Sequence, residues 1–157
     1  MAEVLEAAGK AKRAVDLYAG CGTFALPLLR RASVHAVERN AAAMAALRKA
    51  AGGRLTVEQR DLERRPLQKD DLKHVDFVVL DPPRAGARAQ AEALAVSAVP
   101  TIAYVSCNPA TFARDARTLV EGGYSLARVV PVDQFVWSAH VELVGVFRRS
   151  SSVRRGK

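Results

Sequence analysis

The sequence predicts an α/β domain built on a mostly parallel sheet whose last strand runs antiparallel, and two observations carry that expectation. Short runs rich in β-branched residues alternate with Ala/Leu/Arg-rich runs of helical character, the pattern of a parallel sheet threaded by crossover helices. The final two β-rich runs are joined by a stretch too short for a crossover, so the second must return from the edge where the first finishes. A chain of 157 residues, 50% of them apolar, is long enough for one domain with its own core.

The elements follow in order. Residues Met1 to Lys12 read as an amphipathic helix rather than a signal peptide. A strand over 14–19 turns through Ala19-Gly20-Cys21-Gly22-Thr23-Phe24 into a helix over 24–31, and glycines there let the backbone approach a ligand closely. A strand over 34–38 ends in Glu38, a helix covers 41–51, and a strand over 54–60 ends at Asp61. The segment from Leu62 to His74 is charged and carries Pro66, which predicts a loop or one short helix in place of a full crossover. The strand over 76–81 runs into Asp81-Pro82-Pro83-Arg84, where two prolines freeze an extended rim. A helix over 87–98 and a strand over 101–106 lead to Ser106-Cys107-Asn108-Pro109. Asn108 is a good N-cap and Pro109 a good first residue for a helix over 109–121, which Gly122-Gly123 ends as a C-cap. Strands over 124–132 and 141–148 close the domain, taken as residues 1–149, with a basic tail over 150–157 expected to be disordered.

Composition narrows the class of partner. Lys and Arg number 24 against 16 Asp and Glu, a net charge of +8 that suits a polyanion such as RNA or DNA. The densest basic group is Arg148, Arg149, Arg154, Arg155 and Lys157, readable as a solubilising end or as an RNA-contacting arm. Cys21 and Cys107 lack the paired spacing of a zinc site or disulfide framework, which points to a reducing cytoplasm. No apolar run approaches the roughly 18 residues of a membrane span.

The chemistry-bearing residues fall where strands end. In open α/β sheets the ligand crevice lies outside the carboxyl ends of the strands. The G-x-G turn lacks the third glycine of a dinucleotide fingerprint, position 25 being Ala. Glu38, about 20 residues after the turn, fits a ribose with two free hydroxyls, or else a solvated charge beside the helix opening at Asn40. Asp61 could receive an adenine amino group or serve as a turn residue, so the ligand this edge suggests is an adenosine without a pyrophosphate. Asp81 stands over the crevice, and Arg84 could hold a phosphate or an anionic face of the substrate. Cys107, between a strand end and a helix start, is placed where a thiol is exposed and activated, against the plainer reading of a small buried hydrophobe. Glu142 heads an apolar strand that must begin near Cys107, which suits a general base. Phe135 and Trp137 could stack on a base or pack the rim; His140 reads as a loop-bonded histidine or a second base, and His35 and His74 as structural or exposed.

Four blocks then carry a resemblance: Asp16-Leu17-Tyr18-Ala19-Gly20-Cys21-Gly22-Thr23-Phe24, Val79-Leu80-Asp81-Pro82-Pro83-Arg84, Val105-Ser106-Cys107-Asn108-Pro109-Ala110-Thr111 with Arg114-Asp115, and His140-Val141-Glu142. The chain resembles the catalytic domain of the S-adenosylmethionine-dependent RNA uracil-5-methyltransferases, which make 5-methyluridine in tRNA or large-subunit rRNA. The resemblance implies a seven-stranded Rossmann-like class I methyltransferase fold with an antiparallel last strand and helices on both faces. It implies S-adenosyl-L-methionine as cofactor, held by Tyr18, Gly20, Thr23, Glu38, Asp61 and Asp81, with an RNA uridine as substrate. It also implies Cys107 as the nucleophile that adds to carbon 6 of uracil and Glu142 as the group that removes the carbon 5 proton, on a base that is single-stranded or flipped out.

Two departures stand out. Relatives usually carry a proline after the phenylalanine of the loop before His-Val-Glu, whereas this chain has Phe135-Val136-Trp137. Relatives also place an RNA-binding β-barrel, a central domain and a cofactor-binding glutamine upstream of this unit, so the chain is expected to be a catalytic-domain fragment or truncated product. The alternatives to a competent enzyme are a cofactor- or RNA-binding remnant that needs a partner, and an amino-group methyltransferase with an Asp-Pro-Pro-aromatic loop. Arg84 in the aromatic position and the presence of Cys107 count against the latter.

Overall fold

In the computed structural model, which describes residues 1–132 and 142–149, the chain runs α1 (Ala2–Ala8), β1 (Arg13–Leu17), α2 (Ala25–Leu28), β2 (Ser33–Glu38), α3 (Ala41–Ala51), β3 (Thr56–Gln59), β4 (Phe77–Leu80), α4 (Arg88–Ala95), β5 (Thr101–Ser106), α5 (Pro109–Glu121), β6 (Tyr124–Val132) and β7 (Glu142–Arg149). The strands make one sheet in the order β3-β2-β1-β4-β5-β7-β6. Strands β1 to β5 pair in parallel, while β7 inserts antiparallel between β5 and β6. The expected α/β fold with an antiparallel last strand is the fold observed. Phe135, Val136, Trp137, His140 and the tail 150–157 lie outside the described residues.

Central strands β4 and β5 are buried along their whole length, which is why Phe77-Val78-Val79-Leu80 and Ile102-Ala103-Tyr104-Val105 read as continuous apolar runs rather than alternating ones. One core packs α4 and α5 on the sheet through Leu94, Phe112, Ala116 and Leu119; the other packs α1, α2 and α3 through Val4, Leu28 and Leu47. Asn108 caps α5 by accepting from the Ala110 amide at 3.1 Å, and Asn40 caps α3 by accepting from Ala43 at 3.0 Å.

Several expected boundaries change for physical reasons. The first helix stops at Ala8 because Gly9, with φ of 51°, turns the chain out. The helix expected over 24–31 is the four residues of α2, which include Pro27. The segment 62–74 forms turns rather than a helix, and it covers the sheet by burying Leu62, Leu67 and Leu72. The fully buried Gln90 pins it, accepting from the Leu67 amide at 2.9 Å and donating to the Leu67 carbonyl at 3.1 Å. Gly122 is the C-cap of α5 as expected, with φ of −77°, and the left-handed residue is Gly123, φ 96°. A Cβ on Gly122 would lie 2.5 to 2.7 Å from Ala95, so close packing against α4 requires this glycine.

Candidate active site at the carboxyl edge of the sheet

Because β1, β2, β4 and β5 are parallel, the residues that end them share one edge. The antiparallel register pairs Ser106 of β5 with Leu143 of β7. Cys107, one residue beyond Ser106, and Glu142, one before Leu143, therefore come together at that edge. Cys107 is half-buried in the turn between β5 and α5, where Ser106 Oγ accepts from the Asn108 amide at 3.1 Å and fixes the turn.

A cleft of about 290 Å³ opens at the ends of β1, β2 and β3, lined by Tyr18, Glu38, Asp61 and Asp81. Glu38 ties it together: its Oε2 accepts from the Gly20 amide at 3.0 Å and its Oε1 from the Asn40 amide at 2.7 Å. The turn before α2 and the turn before α3 are thus clipped to one carboxylate. Asp61 accepts from the Glu63 amide at 3.1 Å and faces Arg39 at 3.8 Å. Tyr18 holds a left-handed backbone, φ 60°, and its hydroxyl donates to Glu63 Oε1 at 3.2 Å. Burial, reinforced by the Glu63 carboxylate, raises the phenol pKa and keeps it protonated.

A second cavity of about 240 Å³ adjoins through Asp81, which lines both. Its walls are Thr23, Glu142 and the apolar Phe24, Val105, Val132 and Val144. Thr23, expected among the residues that hold the cofactor, lines this second cavity. Asp81 is exposed at the cavity mouth, yet its carboxyl is raised to about 6, first by the protein around it and then by the Glu142 carboxylate. Arg84 is exposed, and its carbonyl accepts from Asn108 Nδ2 at 3.0 Å and Thr111 Oγ1 at 3.2 Å, so the rim after Asp81 is fastened beside the Cys107 turn.

Beneath the glycine turn lies Asp16, fully buried, with neither carboxylate oxygen hydrogen-bonded among the described residues. Its pKa is raised to about 8 by burial, with Asp81 and Glu38 adding repulsion; the Ala25 amide opposes the shift from outside hydrogen-bonding geometry. The Glu38 and Asp81 carboxylates share an edge that a cationic ligand suits, and Gly20, at positive φ with open space where a Cβ would stand, leaves the backbone open to approach, whereas Gly22 packs against Leu47 and Leu26. An S-adenosyl-L-methionine, cationic at sulfur and at its amino group, fits that donor set. Reasoning from sequence missed Arg39, Arg60 and Glu63, which complete the first cleft. The one available signal was Glu63, two residues after a strand-ending aspartate.

The profile of the tRNA (uracil-5-)-methyltransferase family matches residues 34–150. The chain is 54% identical over 151 residues to an uncharacterized RNA methyltransferase of Caulobacter vibrioides, covering 93% of this chain and 36% of that protein. It is 41% identical over 145 residues to the 23S rRNA (uracil(1939)-C(5))-methyltransferase of Chromohalobacter salexigens, covering 89% and 30%. The crystal structure of Pyrococcus abyssi tRNA (uracil-54, C5)-methyltransferase in complex with S-adenosyl-L-homocysteine superposes with a TM-score of 0.78 at 29% identity, covering 93% of this chain and 37% of that one. The chain belongs to the tRNA (uracil-5-)-methyltransferase family. It spans about a third of the length of the curated relatives it matches.

Proposed function

We propose that residues 1–149 are the catalytic unit of an S-adenosyl-L-methionine-dependent RNA uracil-5-methyltransferase that works through a covalent bond between Cys107 and the target base. The observation that carries this reading is the β5/β7 register, which brings a half-buried thiol and a carboxylate to one edge beside a cleft built for a cationic adenosine.

Tyr18, Gly20, Glu38, Asp61 and Asp81 would hold the cofactor, with Thr23 at the junction toward the second cavity. When bound, S-adenosyl-L-methionine supplies an electrophilic methyl group. Carbon 5 of uracil is too weak a nucleophile to accept it unaided. Attack of the Cys107 thiolate on carbon 6 forms the S–C bond and moves the ring electron pair toward carbon 5 and the carbon 4 oxygen, which makes carbon 5 nucleophilic. Once carbon 5 carries the methyl group, Glu142 accepts its proton, the C5–C6 double bond returns, and the thiolate leaves. Arg84, on the rim fastened beside Cys107, would hold a backbone phosphate of an RNA whose uridine is single-stranded or flipped out. The net charge of +8 supports an RNA partner.

The test is covalent trapping. The protein is incubated with S-adenosyl-L-methionine and RNA containing 5-fluorouridine, then run on a denaturing gel. Fluorine cannot leave as a proton, so a stable protein–RNA band is expected with the wild-type chain and none with Cys107→Ala. A band that survives Cys107→Ala, or no band at all, refutes the proposal. Cofactor binding without a band favours the reading of a binding remnant that needs a partner.

A further inference from the structure

We infer that Asp115 and Arg114 are positioning residues that lock the 84–87 loop to the helix that follows the Cys107 turn, so that the Arg84 rim and the thiol keep one fixed relation when RNA arrives. The inference rests on the role proposed above for Cys107 and Arg84; the clamp itself is visible without it.

The 81–87 loop leaves β4 and the Cys107 turn leaves β5, two adjacent parallel strands. Loops after neighbouring strands have no ladder between them, and side chains of α5 fill that gap. Asp115, only 1% exposed, accepts from the Ala87 amide and from the Tyr104 hydroxyl, both at 2.7 Å on Oδ2. Its Oδ1 accepts from Arg114 Nε at 2.8 Å, and the same guanidinium donates to the Ala85 carbonyl at 3.0 Å. With Asn108 and Thr111 both on the Arg84 carbonyl, three side chains of α5 and its N-cap hold the backbone from Arg84 to Ala87.

The fit leaves no slack. Gly86 has φ of 81°, and a Cβ there would lie 2.6 Å from both Arg114 Nη2 and Asp115 Oδ2. The loop backbone therefore passes directly over the Arg114–Asp115 pair, which only a glycine permits. A buried carboxylate accepting one amide, one hydroxyl and one guanidinium is fully satisfied, and Tyr104 roots it in the centre of the sheet. The pair is more than helix stabilisation: adjacent residues on a helix do not face each other, and here they do so by reaching jointly to another loop. Addition of a thiolate to carbon 6 is sensitive to ångström-scale placement, so a loop that anchors the RNA must be held against the residue that attacks it.

The experiment uses Arg114→Lys and Asp115→Asn in the full chain, with three readouts: hydrogen exchange at the Gly86 and Ala87 amides, alkylation of Cys107 followed by peptide mass spectrometry, and the rate of the 5-fluorouridine adduct beside S-adenosyl-L-homocysteine affinity. A lysine can neutralise Asp115 but lacks the planar fork needed to reach Ala85 as well. Arg114→Lys is expected to keep cofactor affinity within twofold, to lose amide protection in the loop, and to slow adduct formation by roughly 10- to 100-fold. Asp115→Asn is expected to do the same more severely, with changed Cys107 alkylation. Wild-type adduct rates in both variants would overturn the inference, as would an equal loss of cofactor binding and adduct rate, which marks a merely structural pair. If the wild-type chain forms no adduct, the proposed function fails on its own; unchanged loop exchange and unchanged Cys107 alkylation in both variants would then overturn the clamp separately.

Discussion

Replacing Asp16 by asparagine is expected to stabilise the protein, by an amount that grows with pH. Asp16 is fully buried without a hydrogen-bond partner among the described residues, and its pKa stands at about 8 against an ordinary 3.8. The groups that face it are Asp81 and Glu38, both carboxylates, and the Ala25 amide. The folded state therefore binds a proton that the unfolded state releases, and stability that is fully present below pH 3.8 is lost progressively until pH passes about 8. Each pH unit in that window costs about 1.4 kcal/mol, so at pH 7 the native state forgoes on the order of 4 kcal/mol relative to acid. Asparagine keeps the size and removes the titration. For a chain of this length, about 2 to 4 °C per kcal/mol translates into a thermal midpoint roughly 10 °C higher at pH 7, shrinking toward zero near pH 4. The assay is thermal unfolding by circular dichroism of wild type and Asp16→Asn from pH 4 to 8. A difference that stays constant across that range, or a variant less stable than wild type at pH 8, would refute the reasoning.

Three further outcomes are expected. Glu142→Gln should trap the methylated thioether with ordinary uridine RNA, visible as a persistent band on a denaturing gel; rapid turnover by this variant would remove Glu142 from its role. Apparent affinity for S-adenosyl-L-methionine should fall by up to about tenfold per unit below pH 6, because protons compete with a cation at Asp81, whose pKa is raised to about 6 by the surrounding protein and Glu142; Asp81→Asn should flatten that profile in calorimetry. Gly145→Ala should lower the thermal midpoint by several degrees, since the added Cβ would fall 2.5 Å from Phe112 Cζ and overpacking of this kind costs about 1–3 kcal/mol.

Local chemistry was legible in the sequence and tertiary register was not. Asn108 and Pro109 announced the start of α5 because capping needs only neighbours in the chain, and the apolar runs at 77–80 and 101–106 announced buried strands for the same reason. That β7 returns antiparallel with Glu142 at its head near Cys107 followed from a short connection, but its insertion between β5 and β6, with Ser106 paired to Leu143, did not. Leu62, Leu67 and Leu72 recur every five residues, matching neither a helix nor a strand, so a core segment looked like a charged loop until Gln90 was seen to pin it. Gly122 is the C-cap the sequence announces, with Gly123 left-handed after it, but that it also lets α5 pack on α4 depends on where Ala95 lies. Arg39 and Arg60 had no signature because each is one of many charged residues, and only the fold selects those that face the cleft.

Asp81 explains why two cavities make one site. The first cleft is ringed by charged side chains, among them Glu38, Asp61, Glu63, Arg39 and Arg60, and the second is walled by Phe24, Val105, Val132 and Val144 with Glu142 at one side. A planar base suits the second and a charged nucleoside the first, and Asp81 is common to both. Repulsion from Glu142 contributes to the raised pKa of Asp81, so a cation held beside the two carboxylates is favoured by both. Under the function proposed above, loss of the methyl group would remove the sulfonium charge and with it part of that attraction, while the amino group would keep its own.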